Sequence, residues 1–174
     1  MAGNPFLKID TNGNVAEESS IQSSAGAGDA GKIPALDSAG KLDTTMMPVG
    51  IGADTASIVT SEDLAAGDIV NIYDNTGTPN ARKADASAAS AGKKGVGFVL
   101  SAVTAPAAAT VYFEGQITGL TGLTIGATYF LSGATAGALT TTPPTTAGYA
   151  LQKIGVAISA TALSFEPGEV VIRA

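Results

Sequence analysis

The sequence predicts an all-β protein, an antiparallel β-barrel or sandwich preceded by an extended N-terminal arm. Three observations predict it. From residue 55 onward, short apolar runs are separated by clusters of Gly, Asn, Asp and Pro, the spacing of strands and tight turns. The best helix candidate, Ser61-Glu62-Asp63-Leu64-Ala65-Ala66-Gly67, has a capping serine, acids in a first turn and a closing glycine, which supports one turn at most. Residues 1–54 are rich in Gly, Ser, Ala and Asp and poor in apolar clusters, so they read as an arm and connector, with the β-domain at 55–174.

Within the arm, Pro5-Phe6-Leu7-Lys8-Ile9 is an extended patch followed by Asp10-Thr11-Asn12-Gly13-Asn14, whose Asn-Gly is a turn signal. The pair predicts a small hairpin able to pair with a neighbour's edge. Residues 23–34 are linker-like, and the run from Lys32 to Gly52 is expected to be strand, turn, strand, with Pro34 and Pro48 blocking a helix. Ordering backbone costs about 1 to 2 kcal/mol per residue. The arm's large anchors, Phe6, Leu7, Ile9, Leu36, Leu42, Met46 and Met47, return roughly 1.5 to 3 kcal/mol each when buried. The arm is therefore expected to take its shape against other molecules.

In the β-domain, Asp68–Asp74 leads through Asn75-Thr76-Gly77 into Asn80–Ala84, a hairpin. Further strands are expected at Gly95–Val103, Ala109–Thr118, Gly126–Ser132, Ala138–Thr142, Leu151–Ser159, Ala162–Phe165 and Glu169–Arg173, with Pro143-Pro144 as a rigid loop. In Val111–Ile117, Val111 and Phe113 face one way while Tyr112 and Glu114 face the other, which leaves Glu114 toward solvent.

Composition narrows the function. A chain of 174 residues suits one compact domain plus an appendage. Aromatics are 5%, with no Trp and 22 Gly, so the core must come from Val, Ile, Leu and Ala. A net charge of -6 and a pI near 4.4 argue against nucleic acid and against an anionic membrane, since both require a field of Lys and Arg. Without His or Cys there is no Ser-His-Asp triad, no thiol chemistry and no ordinary zinc site. The start has no apolar h-region, and nowhere do 18 apolar residues run together, so neither a signal peptide nor a membrane span is expected.

The motifs that remain reduce to turn chemistry. Gly26-Ala27-Gly28-Asp29-Ala30-Gly31-Lys32 satisfies part of a phosphate loop, but Ile33 stands where a Ser or Thr hydroxyl should meet magnesium, and Pro34 breaks the helix that should follow. Asp10–Asn14 opens like a calcium loop, yet Ile21 stands where the closing Glu belongs. Ser38-Ala39-Gly40-Lys41 and Ser90-Ala91-Gly92-Lys93 spell SxxK without companion motifs. Paired carboxylates for glycoside hydrolysis lack aromatic platforms beyond Tyr73, Tyr112, Tyr129, Tyr149 and the phenylalanines, most of which sit in strand patterns as core or inter-subunit packing. No catalytic residue, cofactor or metal is assigned, and the chain is expected not to be an enzyme.

Two stretches resemble virion proteins of tailed bacteriophages. Gly31-Lys-Ile-Pro-Ala-Leu-Asp-Ser-Ala-Gly-Lys-Leu-Asp-Thr-Thr-Met-Met-Pro48 is similar to a connector of phage fibre and head-decoration proteins. Ala65–Val70, Lys83-Ala84-Asp85, Gly119–Leu123, Gly126–Ser132 and Gln152–Ala157 resemble the β-domain of capsid decoration proteins. The resemblance implies a decoration or cement protein on the outer surface of the virion, a homotrimer whose partner is the major capsid protein. In that setting the arm is expected to grip the shell or neighbouring subunits, chiefly through Phe6, Leu7, Ile9, Met46 and Met47. The rivals are a short head or tail fibre that binds a receptor, although shaft repeats are absent, and a carbohydrate-binding module or enzyme.

Overall fold

The computed structural model describes residues 5–47, 54–87 and 93–174, and the chain divides into two compact units, Met1–Gly52 and Ala53–Ala174. The described residues of the first unit contain one hairpin. Strand β1 (Pro5–Ile9) pairs antiparallel with β2 (Val15–Ser19), in a register that sets Ile9 opposite Val15 and Pro5 opposite Ser19. The following chain holds single 3-10 turns at Ala27–Asp29 and Thr44–Met46 and an isolated bridge between Ile21 and Pro34.

The expected strand, turn, strand over Lys32–Gly52 is corrected. Its turn forms at Asp37–Lys41, but no strand flanks it among the described residues, and the part beyond Met47 lies outside them. Asp43 explains the change, because its side chain accepts the Thr45 N–H at 2.9 Å and starts a 3-10 turn in place of a ladder.

The second unit is all-β. Its first strands are β3 (Thr55–Thr60), β4 (Ile69–Asn75), β5 (Thr78–Lys83), β6 (Gly97–Val99) and β7 (Ala108–Tyr112), which close into a barrel of order β3-β5-β4-β6-β7. Then follow β8 (Gly115–Thr118), β9 (Thr128–Leu131), β10 (Leu139–Thr140), β11 (Ala150–Leu151), β12 (Lys153–Ala157), β13 (Ala162–Phe165) and β14 (Val171–Ile172). Of these, β10-β9-β12-β13-β8 form a five-stranded sheet, while β11 and β14 pair separately. Among the described residues no helix is long and apolar enough to cross a membrane.

Several details differ from expectation, among them Leu151–Ser159, which divides between β11 and β12 in separate sheets. Thr55–Thr60 is a strand with Ile58 and Thr60 buried and Val59 exposed, the period of a half-buried strand. The barrel is antiparallel except where β3 meets β5 in parallel, Val59 opposite Asn80 and Thr60 opposite Ala81. This pairing gives the second edge of β3 its partner and leaves the barrel without an open edge. Ala109–Thr118 is two strands on two sheets, because Gly115 at φ 107° turns the chain. The facing holds even so. Val111 and Phe113 join the barrel interior, Tyr112 packs on the opposite side and Glu114 is exposed.

No helical turn forms over Ser61–Gly67. Leu64 and Val103 exchange N–H···O bonds at 2.9 Å, Glu62 accepts the Lys83 N–H and Asp63 accepts the Ala105 N–H. The acids that signalled a helix start tie this loop to its neighbours instead.

Two apolar cores result. Ile58, Leu64, Val70, Ala81, Val99, Ala109 and Val111 fill the barrel. Ile69 and Phe98 from the barrel meet Ile117, Leu131, Ile154, Leu163 and Phe165 from the sheet. Adjacent residues thus serve different cores, Ile69 beside Val70 and Phe98 beside Val99. That explains why apolar residues stand side by side at Ile69-Val70 in β4 and Phe98-Val99 in β6, since both faces are covered there. Phe98 anchors the second core, with Tyr112 stacked at 5.4 Å and Phe165 tilted at 5.1 Å.

Candidate functional site

The residues expected to make contacts all fall in the first unit. On an antiparallel pair, directly opposed residues share a face. The observed register therefore puts Leu7, Ile9, Val15 and Glu17 on one face of the hairpin, and Phe6, Lys8, Ala16 and Glu18 on the other. The first face is open and largely apolar, with Leu7 72%, Ile9 66% and Val15 66% exposed and Glu17 at its side. The other carries the Lys8–Glu18 ion pair with Phe6 half-buried.

Leu7 and Ile9 are thus brought together, Phe6 is turned away from them, and Val15 is an addition that the hairpin register supplies. Met46 and Met47 lie in a separate turn, which the Ser24 N–H holds through Thr45 Oγ1 at 2.8 Å. Met46 is half-buried and Met47 exposed.

The same turn is built twice in this unit. At Asp10, the backbone N–H donates to Asn14 O, the Gly13 N–H donates to Asp10 O, and Oδ1 accepts from the Asn12 and Asn14 N–H groups at 2.8 and 2.9 Å. At Asp37, the N–H donates to Lys41 O, the Gly40 N–H donates to Asp37 O, and Oδ1 accepts from Ala39 and Lys41 at 2.8 and 2.9 Å. Each needs a left-handed glycine three residues after the Asp, Gly13 at φ 82° and Gly40 at φ 73°. Each is flanked by an exposed apolar pair, Ile9 with Val15 and Leu36 with Leu42. The pattern apolar-Asp-x-x-Gly-x-apolar occurs in the sequence at both places and is the signal that finds the repeat.

These hydrogen bonds also account for the local charges. The Asn14 and Asn12 N–H groups hold the Asp10 carboxyl below the ordinary aspartate value of 3.8. The Ala25 N–H and then the Lys32 side chain lower Asp29, and the Thr45 hydroxyl and N–H lower Asp43. In the run that resembles a phosphate loop, Lys32 is turned back onto Asp29 at 3.0 Å. In the run that opens like a calcium loop, the Asp10 oxygen is engaged by backbone donors. Of the two SxxK runs, the first is the Asp37 turn, and Ser90–Gly92 of the second lie outside the described residues.

Among the described residues of this unit no apolar side chain is buried, and the buried residue there is Ser20. Leu7, Ile9, Val15, Ile33, Leu36, Leu42 and Met47 are all exposed. The described residues of the unit form a hairpin and two 3-10 turns without a core, so the surface there is apolar in a way that a free polypeptide of this size would bury. In the second unit the tyrosines behave differently from one another. Tyr129 is buried with its hydroxyl accepting the Thr124 N–H, Tyr112 stacks on Phe98, Tyr73 lies under the Arg82 guanidinium at 4.3 Å, and Tyr149 is half-exposed. No protein-family model matches the sequence, and no curated protein matches it at a significant level.

Proposed function

We propose that this chain is a structural virion protein that binds the outside of a phage capsid as a homotrimer and stabilises the shell, with Met1–Gly52 as the gripping arm. The observation that carries the reading is the first unit, where no apolar side chain is buried among the described residues and Leu7, Ile9, Val15, Leu36 and Leu42 are exposed. Such side chains are stabilised by burial against another molecule, at roughly 25 cal/mol per Å² of apolar surface. The phage setting comes from the resemblance of residues 31–174 to decoration proteins. Three arms on one trimer would act together, since linked contacts raise avidity by about 10² to 10⁴ over a single contact. Threefold closure also repeats one patch without leaving an open-ended interface.

The test is to add the purified protein to bare capsids of its phage and measure the temperature at which they rupture. The full chain is expected to raise that temperature. A form lacking residues 1–52 is expected to stay folded and to bind no shell. Unchanged rupture with the full chain sinks the decoration reading and favours a fibre, while full occupancy by the truncated form sinks the arm assignment alone.

A further inference from the structure

Between the end of β9 and the loop that returns into β11, the second unit holds a cleft of about 450 Å³. That volume is within the roughly 300 to 1,000 Å³ of ligand sites. Ser132, Thr140, Thr142, Thr145, Thr146 and Tyr149 line it, with Pro143 and Pro144 forming part of the wall. No charged side chain lines it, and the nearby Arg173 is spent on Pro144 O behind the wall. Hydroxyls both donate and accept, which suits a ligand that is itself covered in hydroxyls. The hydroxyls of Thr142, Thr145, Thr146 and Tyr149 have no protein partner among the described residues, whereas Ser132 Oγ is engaged by the Ala134 and Thr135 N–H groups and Thr140 Oγ1 by the backbone of Thr142.

The walls are held in advance. Arg173 Nε donates to Pro144 O at 3.0 Å, the Gly148 N–H donates to Arg173 O and the Arg173 N–H to Tyr149 O, each at 2.9 Å. Gly133 lets the Tyr149 ring lie against the backbone, for a Cβ there would sit 2.7 Å from Cδ2. A cleft fixed before binding loses less entropy on binding. The neighbouring cleft of about 420 Å³ beside Asp68 contrasts with it. There Asp68 is engaged by the Ala65 N–H and Lys83 and the Tyr129 hydroxyl by the Thr124 N–H, which leaves the Thr121 hydroxyl against four in the Tyr149 cleft.

We infer that the Tyr149 cleft binds one neutral sugar ring of a glycan, with the threonine hydroxyls taking sugar hydroxyls and the tyrosine ring taking the C–H face of the sugar. The inference is independent of the capsid reading. It is tested by saturation-transfer NMR on the full chain with methyl glycosides of glucose, galactose, mannose and N-acetylglucosamine, and with sialic acid as a charged control. Transfer to at least one neutral glycoside is expected, with affinity falling about tenfold in Tyr149→Ala, a loss of about 1.4 kcal/mol. Thr142→Val/Thr146→Val, which keeps the ring and the shape, should weaken binding similarly and guards against misfolding of the first variant. No transfer from any neutral glycoside at tens of millimolar, transfer from sialic acid alone, or binding unchanged in both variants overturns it.

Discussion

Thr60 is fully buried in the barrel, and its hydroxyl has no hydrogen-bond partner among the described residues. An orphaned buried polar group costs about 1 to 3 kcal/mol. Thr60→Val removes it while keeping the branched shape, so a gain of about 1 kcal/mol is expected as a higher urea midpoint at constant slope. Gln152 is the opposite case. Its amide accepts from the Gly95 N–H and donates to Gly95 O, both at 2.8 Å, as a strand would, and it is 3% exposed. Gln152→Leu strands both backbone groups, and a loss of roughly 2 to 4 kcal/mol is expected in the same measurement.

The aspartates of the first unit set a pH dependence. Asp10, Asp29 and Asp43 have lowered values in the folded chain, so their contribution is present above the ordinary value of 3.8 and is lost as pH falls through the folded values. Amide shifts of Asn12, Asn14 and Thr45 are expected to move toward random-coil positions below that pH. Shifts that stay fixed down to full protonation would contradict the hydrogen-bond assignment.

Strand pairing places the glycines that matter most. Gly97 lies where a Cβ would approach Tyr112 O and Val111 Cγ1 at 2.7 Å, so β6 can reach β7 only without a side chain. Gly97→Ala forces backbone apart in the barrel wall, and a loss of at least about 1 to 3 kcal/mol is expected, read as a lower Tm. Among elements, the β4–β5 hairpin was legible because Asn75-Thr76-Gly77 is a turn signal, with Thr76 at φ 54° and Gly77 at φ 87°. The β1–β2 hairpin was legible for the same reason at Asn12-Gly13. Thr55–Thr60 was less visible, since its small and polar residues hide a period-2 pattern. The division of Ala109–Thr118 was hidden too, because its alternation continues across the break while Gly115 redirects the backbone.

The two units differ in what holds them. Ala53–Ala174 has two cores joined through β4 and β6, whereas Met1–Gly52 has bracketed turns and no buried apolar side chain among its described residues. Removal of residues 1–52 is therefore expected to leave the thermal transition of the β-domain within about 0.5 kcal/mol of the full chain, as for surface changes that touch no core. A collapse of that transition on truncation would mean that the first unit supports the barrel.

Composition, turn residues and strand alternation were enough to establish an all-β fold, the lack of thiol and imidazole side chains, and an N-terminal part poor in apolar clusters. These are local properties, written in neighbouring residues. The parallel closure of β3 on β5, the division of Ile69 from Val70 and of Phe98 from Val99 between two cores, and the grouping of Leu7, Ile9 and Val15 on one face came from folding. Each depends on which strand lies beside which, and pairing between distant segments leaves no trace in the spacing of either one.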